Sequence, residues 1–105
     1  MSAIVVFCTC PDEAAAERIG SALVADRLAA CVSRMPGVVS TYRWEGKVRR
    51  DDEVLLLIKT TSERFDALRE HIAALHPHEL PEIVAVEIAR GLPAYLDWIA
   101  RETQP

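Results

Sequence analysis

Three short segments, Ile4–Phe7, Val54–Ile58 and Ile83–Val86, are apolar at every position, and this constrains the fold more than any other feature of the chain. A strand with one wet face alternates apolar and polar residues, whereas a strand buried on both faces reads as an unbroken apolar run. Each run is far shorter than the roughly 20 residues needed to cross a bilayer. The pattern therefore predicts a sheet with something packed on each side. With 105 residues and 11.7 kDa the chain has room for one domain, 1–105. A domain of this size buries roughly two-thirds of its unfolded surface and needs no disulfide or structural metal.

The segments between these runs supply the remaining elements. After Pro11, the stretch Asp12–Leu28 repeats Ala15, Ile19, Ala22 and Leu23 at helical spacing opposite Glu17, Arg18 and Ser21, which predicts an amphipathic helix. Ala29–Ser33 and Val38–Trp44 read as one long strand with a bend or bulge at Met35-Pro36-Gly37. Glu45-Gly46 then signals a tight turn, and Lys47–Lys59 returns as the other arm of a long hairpin between the second and third strands. Thr60 with Glu63 fits a capping box, and Phe65, Leu68, Ile72 and Leu75 follow on one helical face that stops before Pro77. Glu82–Ile88 reads as a fourth strand, and Pro93 opens a short last helix expected to turn Leu92, Tyr95, Leu96 and Ile99 inward.

The order β-α-β-β-α-β-α is the α+β, ferredoxin-like split arrangement, β-α-β-β-α-β with an additional short C-terminal helix. Two helices cover one face of such a sheet. The last helix is too short to shield the other, and an exposed apolar patch of that size marks an interface, so the pattern predicts a homo-oligomer.

Twelve Lys and Arg against sixteen Asp and Glu give a net charge of −4 and a pI near 5.3, which argues against nucleic acid as a partner. No membrane segment is expected. The N-terminus has no basic flank ahead of its short apolar run, so no signal peptide is expected either. Glycines 20, 37, 46 and 91 form neither a dinucleotide fingerprint nor a Walker loop, and no organic cofactor is implied. Three cysteines, Cys8, Cys10 and Cys31, have no spacing of a disulfide framework, and they fit a reducing cytoplasm.

Several residues are candidates for chemistry. Cys8 and Cys10 share one face if the strand runs through both, and thiolates are soft ligands suited to copper or zinc; as a small core residue Cys8 is equally at home buried, while Cys10, beside Pro11, is expected exposed. Cys31, among small apolar residues, is expected buried. The segment His76-Pro77-His78-Glu79-Leu80-Pro81-Glu82 holds two imidazoles and two carboxylates on a proline-stiffened loop, which suits either a divalent cation or a rigid connector with solvated histidines. Neither CxxC nor HExxH occurs. Tyr42 and Trp44 share a strand face and suit an interface or a stacked ligand. Glu79 and Glu82 form an acid–base pair only if their environments differ, no nucleophile is placed beside a base, and no enzymatic activity is expected. Arg49–Glu53 reads as a solvated, self-neutralising stretch.

Taken together, Cys8-Thr9-Cys10-Pro11-Asp12, Leu28-Ala29-Ala30-Cys31-Val32, Tyr42-Arg43-Trp44-Glu45-Gly46, Ile58-Lys59-Thr60-Thr61, His76-Pro77-His78-Glu79-Leu80-Pro81-Glu82-Ile83 and Tyr95-Leu96-Asp97-Trp98 resemble the CutA family of divalent-cation-tolerance proteins across essentially the whole chain. The resemblance implies a homotrimer like the PII signalling proteins, with hairpins pairing between subunits. It implies a role in the response to metal ions, with copper contacts falling on Cys8 and His76. A second, adjacent histidine of the family corresponds here to Leu75, and the family's tyrosine after His-Pro corresponds to His78. Cys31, Tyr42, Trp44, Lys59, Glu79, Glu82, Tyr95 and Trp98 also fall on family-typical positions, as lining of an inter-subunit cleft or as assembly residues. The family has no accepted reaction. An alternative within the resemblance is a PII-like scaffold that engages a protein partner and affects metals only indirectly.

Overall fold

The computed structural model describes residues 2–105. Strand β1 (Ala3–Cys10) leads into helix α1 (Glu13–Ala25), followed by β2 (Cys31–Trp44) and β3 (Lys47–Thr61). A single 3-10 turn (Ser62–Arg64) opens onto α2 (Phe65–Leu75), and β4 (Val84–Glu87) and α3 (Pro93–Glu102) complete the chain. The four strands form one sheet in the order β2-β3-β1-β4, antiparallel throughout, which is the ferredoxin-like α+β arrangement.

Helices α1 and α2 cover one face. Along β1 the side chains of Ile4, Val6, Cys8 and Cys10 are buried, and they meet Ile19 and Leu23 of α1, Leu68 and Ile72 of α2, and Leu56 and Ile58 of β3 in one cluster. Each such fully buried aliphatic side chain contributes about 1.5–3 kcal/mol. Asp12 caps α1, its carboxylate accepting from the Ala15 N–H at 2.8 Å. At the other end Arg27 adopts a left-handed φ of 58°, the Leu28 N–H reaches the Leu23 carbonyl at 2.9 Å and the Arg27 N–H reaches that of Val24 at 3.2 Å. These bonds form a Schellman cap. The helix therefore ends at Ala25 rather than at Leu28, and the sequence hides the stop because arginine stands where glycine is usual.

The hairpin is long. Fourteen residues of β2 at about 3.3 Å each span about 46 Å, which accounts for the 44 Å long axis of the molecule. The pairing shifts between Met35 and Val38, where Gly37 takes a φ of 83°, so the expected bulge is present. At the tip Glu45 and Gly46 both have positive φ, 51° and 77°, the two-residue turn whose twist matches the strands.

Four further expectations need correction. Thr60 and Glu63 make no capping box: Thr60 lies inside β3, fully buried, and its hydroxyl donates to the Leu28 carbonyl at 2.7 Å. The fourth strand is shorter than Glu82–Ile88, because only residues 84–87 pair with β1. In α3, Ile99 is fully buried and Leu96 half-buried, but Leu92 and Tyr95 are 72% and 41% exposed. Finally, Cys31 is half-buried, because it opens β2 opposite Lys59 on the face that α1 and α2 leave uncovered.

That second face carries Val5, Phe7, Leu55, Leu57, Val84 and Val86. Helix α3 packs against β3 and β1, and its Ile99 lies outside the cluster beneath the other two helices. The remainder of the face is open, with Met35, Val84 and Val86 each about half exposed.

Candidate metal centre

The end of β1 and the end of α2 meet at one point. Because successive residues of a strand face opposite sides, Cys8 and Cys10 both point under the helices while Thr9 points away. Helix α2 stops at Leu75, and His76, in extended conformation ahead of Pro77, turns its ring back toward β1. The two sulfurs and an imidazole nitrogen lie within 4.8 Å of one another, and all three residues are buried. Cys10 thus belongs to the core, contrary to the expectation that it is exposed: β1 continues to its full length, with Cys10 paired to Val54.

The imidazole is held from both sides. Its Nδ1 accepts the His78 backbone N–H at 3.1 Å, so in the neutral ring Nε2 carries the proton and donates to the Thr9 carbonyl at 2.8 Å. A metal-ligating histidine usually donates its other N–H to a carbonyl or carboxylate in this way. Apart from each other, the sulfurs are little engaged: Cys8 Sγ makes one long contact, to the Thr9 carbonyl at 3.9 Å. The hydrogen bond between the two sulfurs, with burial, pushes the Cys8 thiol far above its ordinary range, and the same bond holds Cys10 below it. The donor set, two sulfurs and one imidazole, fits a soft metal ion.

The other residues singled out in the sequence lie elsewhere. His78, Glu79 and Glu82 are exposed and, with Thr9, Tyr42 and Trp44, help line an open cleft of about 770 Å³ between the loop and the hairpin. The His76 and His78 ring centroids are 5.1 Å apart, so His78 stands between the buried cluster and that cleft. Tyr42 donates its hydroxyl to Asp51 across the hairpin, and this bond raises the phenol's pKa. On the second face Lys59 donates to Ser33 at 3.4 Å, the Ser33 hydroxyl lies 3.8 Å from the Cys31 sulfur, and Tyr95 touches Cys31. Burial, and then that contact, raise the Tyr95 pKa. Tyr95 and Trp98 pack at 5.4 Å between ring centroids. None of this second group approaches Cys8 and His76. Cys10 joins the Cys8–His76 pair that the family resemblance implies, and its two-residue spacing from Cys8 on one strand face is the sequence signal for it.

A four-stranded antiparallel sheet with two helices on one face and a buried thiol–imidazole cluster beneath them defines the class of domain to which the chain belongs, a ferredoxin-like α+β fold. Residues 4–102 match the family CutA1 divalent ion tolerance protein. The Divalent-cation tolerance protein CutA of Thermus thermophilus is 52% identical over 99 residues, which cover 94% of this chain and 96% of that one. Protein CutA of Mus musculus is 44% identical over 98 residues, 93% of this chain but only 55% of the mouse protein. Among solved structures, CutA from Xylella fastidiosa superposes with a TM-score of 0.96 at 48% identity, covering 99% of this chain and 100% of that one. The Archaeoglobus fulgidus structure, described as a periplasmic divalent cation tolerance protein CutA, gives 0.94 at 37% identity over 97% and 99% of the two chains. The chain belongs to the CutA1 divalent ion tolerance family. No helix among the described residues is long and apolar enough to cross a membrane.

Proposed function

We propose that this protein is a homotrimer that binds metal ions, copper foremost, through Cys8 and His76, and that its part in metal tolerance is binding rather than catalysis. The observation that carries the reading is the burial of a thiol and an imidazole within 4.8 Å of each other at the junction of β1 and α2. A thiol–imidazole pair favours copper by softness, and copper heads the divalent series in affinity. No organic cofactor enters the reading, and the whole chain acts as one module.

Assembly is supported by the apolar second face. Val84 and Val86 are 53% and 50% exposed, and they flank β1 residues that are themselves apolar. An exposed patch of this kind fits a protein contact. We place the protein in the cytoplasm, where the free thiols of Cys8, Cys10 and Cys31 stay reduced.

The test is an anaerobic calorimetric titration of the reduced protein with copper, beside Cys8→Ser and His76→Ala, with sedimentation of each sample. Saturable binding weakened in both variants is expected, on a species of three times 11.7 kDa. Heat signals identical in all three proteins would sink the reading. A second reading, a scaffold for a protein partner, is favoured by one feature, the open cleft where Tyr42, Trp44 and Arg43 stand beside Glu79 and Glu82. Aromatic residues and arginine are enriched at protein contacts. Capture of a partner by metal-free protein, lost in Trp44→Ala, would favour it.

A further inference from the structure

We propose that Cys10 is a ligand in its own right, and that Cys8, Cys10 and His76 form a closed three-donor site selective for Cu(I) over divalent ions. The inference rests on the reading that metal binds at the Cys8–His76 pocket, and it goes further by assigning a third ligand and an oxidation state.

Three observations carry it. Cys10 lies in the same cluster as Cys8 and His76, with all donor atoms inside 4.8 Å, and both cysteines have no exposed surface. Leu75, the neighbour of His76 on the helix side, packs its side chain against the core, so the helix end offers one imidazole and not two. The third donor therefore comes from the strand. The cluster, among the described residues, contains no carboxylate, and its burial leaves little room for water to complete a larger shell.

Ligand number and softness then choose the ion. Zinc in closed protein sites takes four ligands in a tetrahedron, and Cu(II) prefers tetragonal nitrogen and oxygen donors. Thiolates select Cu(I), a d¹⁰ ion with no geometric demand, which is satisfied by two or three soft donors. The Thr9 carbonyl is the nearest further acceptor, but it is a hard oxygen already holding His76 Nε2. His78, whose ring lies 5.1 Å from that of His76 at the edge of the cleft, marks the side from which an ion enters.

The experiment uses the full reduced chain without oxygen. Cu(I) is offered against a chromophoric Cu(I) chelator, with Zn(II) and Cu(II) in parallel, to wild type, Cys8→Ser, His76→Ala, Cys10→Ser and Cys10→Ala. Circular dichroism and sedimentation check the folding of each, and X-ray absorption counts the sulfur neighbours of bound copper. The expected result is Cu(I) with two sulfur neighbours, not displaced by Zn(II). Both Cys10 variants should lose more than the roughly 10–100-fold affinity that follows loss of an outer-shell partner. Copper that depends on Cys8 and His76 but has one sulfur neighbour and unchanged affinity in Cys10→Ser would overturn the inference and leave the metal reading standing. Displacement by Zn(II) would overturn the selectivity. Failure of every protein to compete with the chelator would overturn both.

Discussion

Thr60 shows how much one hydroxyl can hold. It is fully buried in β3 opposite Ile4, and it donates to the Leu28 carbonyl at 2.7 Å, tying the loop after α1 to the sheet. Thr60→Val keeps the shape and leaves that carbonyl without this donor, which should cost about 1–3 kcal/mol, whereas Thr60→Ser should cost less. Thermal midpoints at one fixed protein concentration would check this, since assembly shifts apparent stability. A second expectation concerns the chain's two tyrosines, both raised, Tyr42 by its bond to Asp51 and Tyr95 by burial. A phenol raised in the folded state adds stability at and below its ordinary value of about 10 and loses it as pH climbs through the higher folded value. Phenolate absorbance of the folded protein should therefore appear at higher pH than that of the unfolded chain; coincident curves would refute it.

At the scale of elements, the hairpin tip invites a paired test. Glu45 and Gly46 have φ of 51° and 77°, and only the second is a residue suited to that region. Gly46→Ala should destabilise by about 1–2 kcal/mol, while Glu45→Asn should stabilise, because Asn-Gly is the favoured pair for this turn. Opposite shifts in urea midpoint are the expected outcome. The same comparison shows why most elements were legible in sequence. The runs at Ile4–Phe7 and Val54–Ile58, the helical spacing of Leu68 and Ile72, and the Pro36-Gly37 bulge are local signals, and each appears where it was read. What was not legible depends on contacts distant in sequence. The end of α1 is set by Arg27, whose guanidinium also reaches the Glu102 carbonyl at 3.2 Å. Cys10 looked like a strand end because Pro11 follows it, but the loop after α2 folds His76 over it. Thr60 looked like a cap because nothing local shows the Leu28 carbonyl arriving from the α1–β2 loop.

At the scale of the molecule the proposed trimer makes its own demands. A charge on the half-exposed apolar face should oppose association strongly and affect the single chain little, because Val86 sits at the sheet edge paired to Val5, with the α1–α2 core on the other side. Val86→Glu is expected to lower the sedimenting mass toward 11.7 kDa while leaving the far-ultraviolet spectrum folded. Trp44→Ala should likewise weaken assembly more than copper binding, because Trp44 lies at the hairpin tip and outside the Cys8–Cys10–His76 cluster. An intact trimer that has lost copper would reverse that assignment.

The outer half of the hairpin has a further consequence. Beyond the shift at Met35–Val38, no residue from 39 to 52 is fully buried, so this arm is held within the chain mainly by its ladder and its cross-strand pairs. An isolated two-stranded ribbon is marginal in water. Its amides should exchange with solvent orders of magnitude faster than those of β1 in a dilute, dissociated sample, and slow sharply as concentration rises. In the proposed trimer the arm would then report association directly, and the last step of folding would be an encounter between chains.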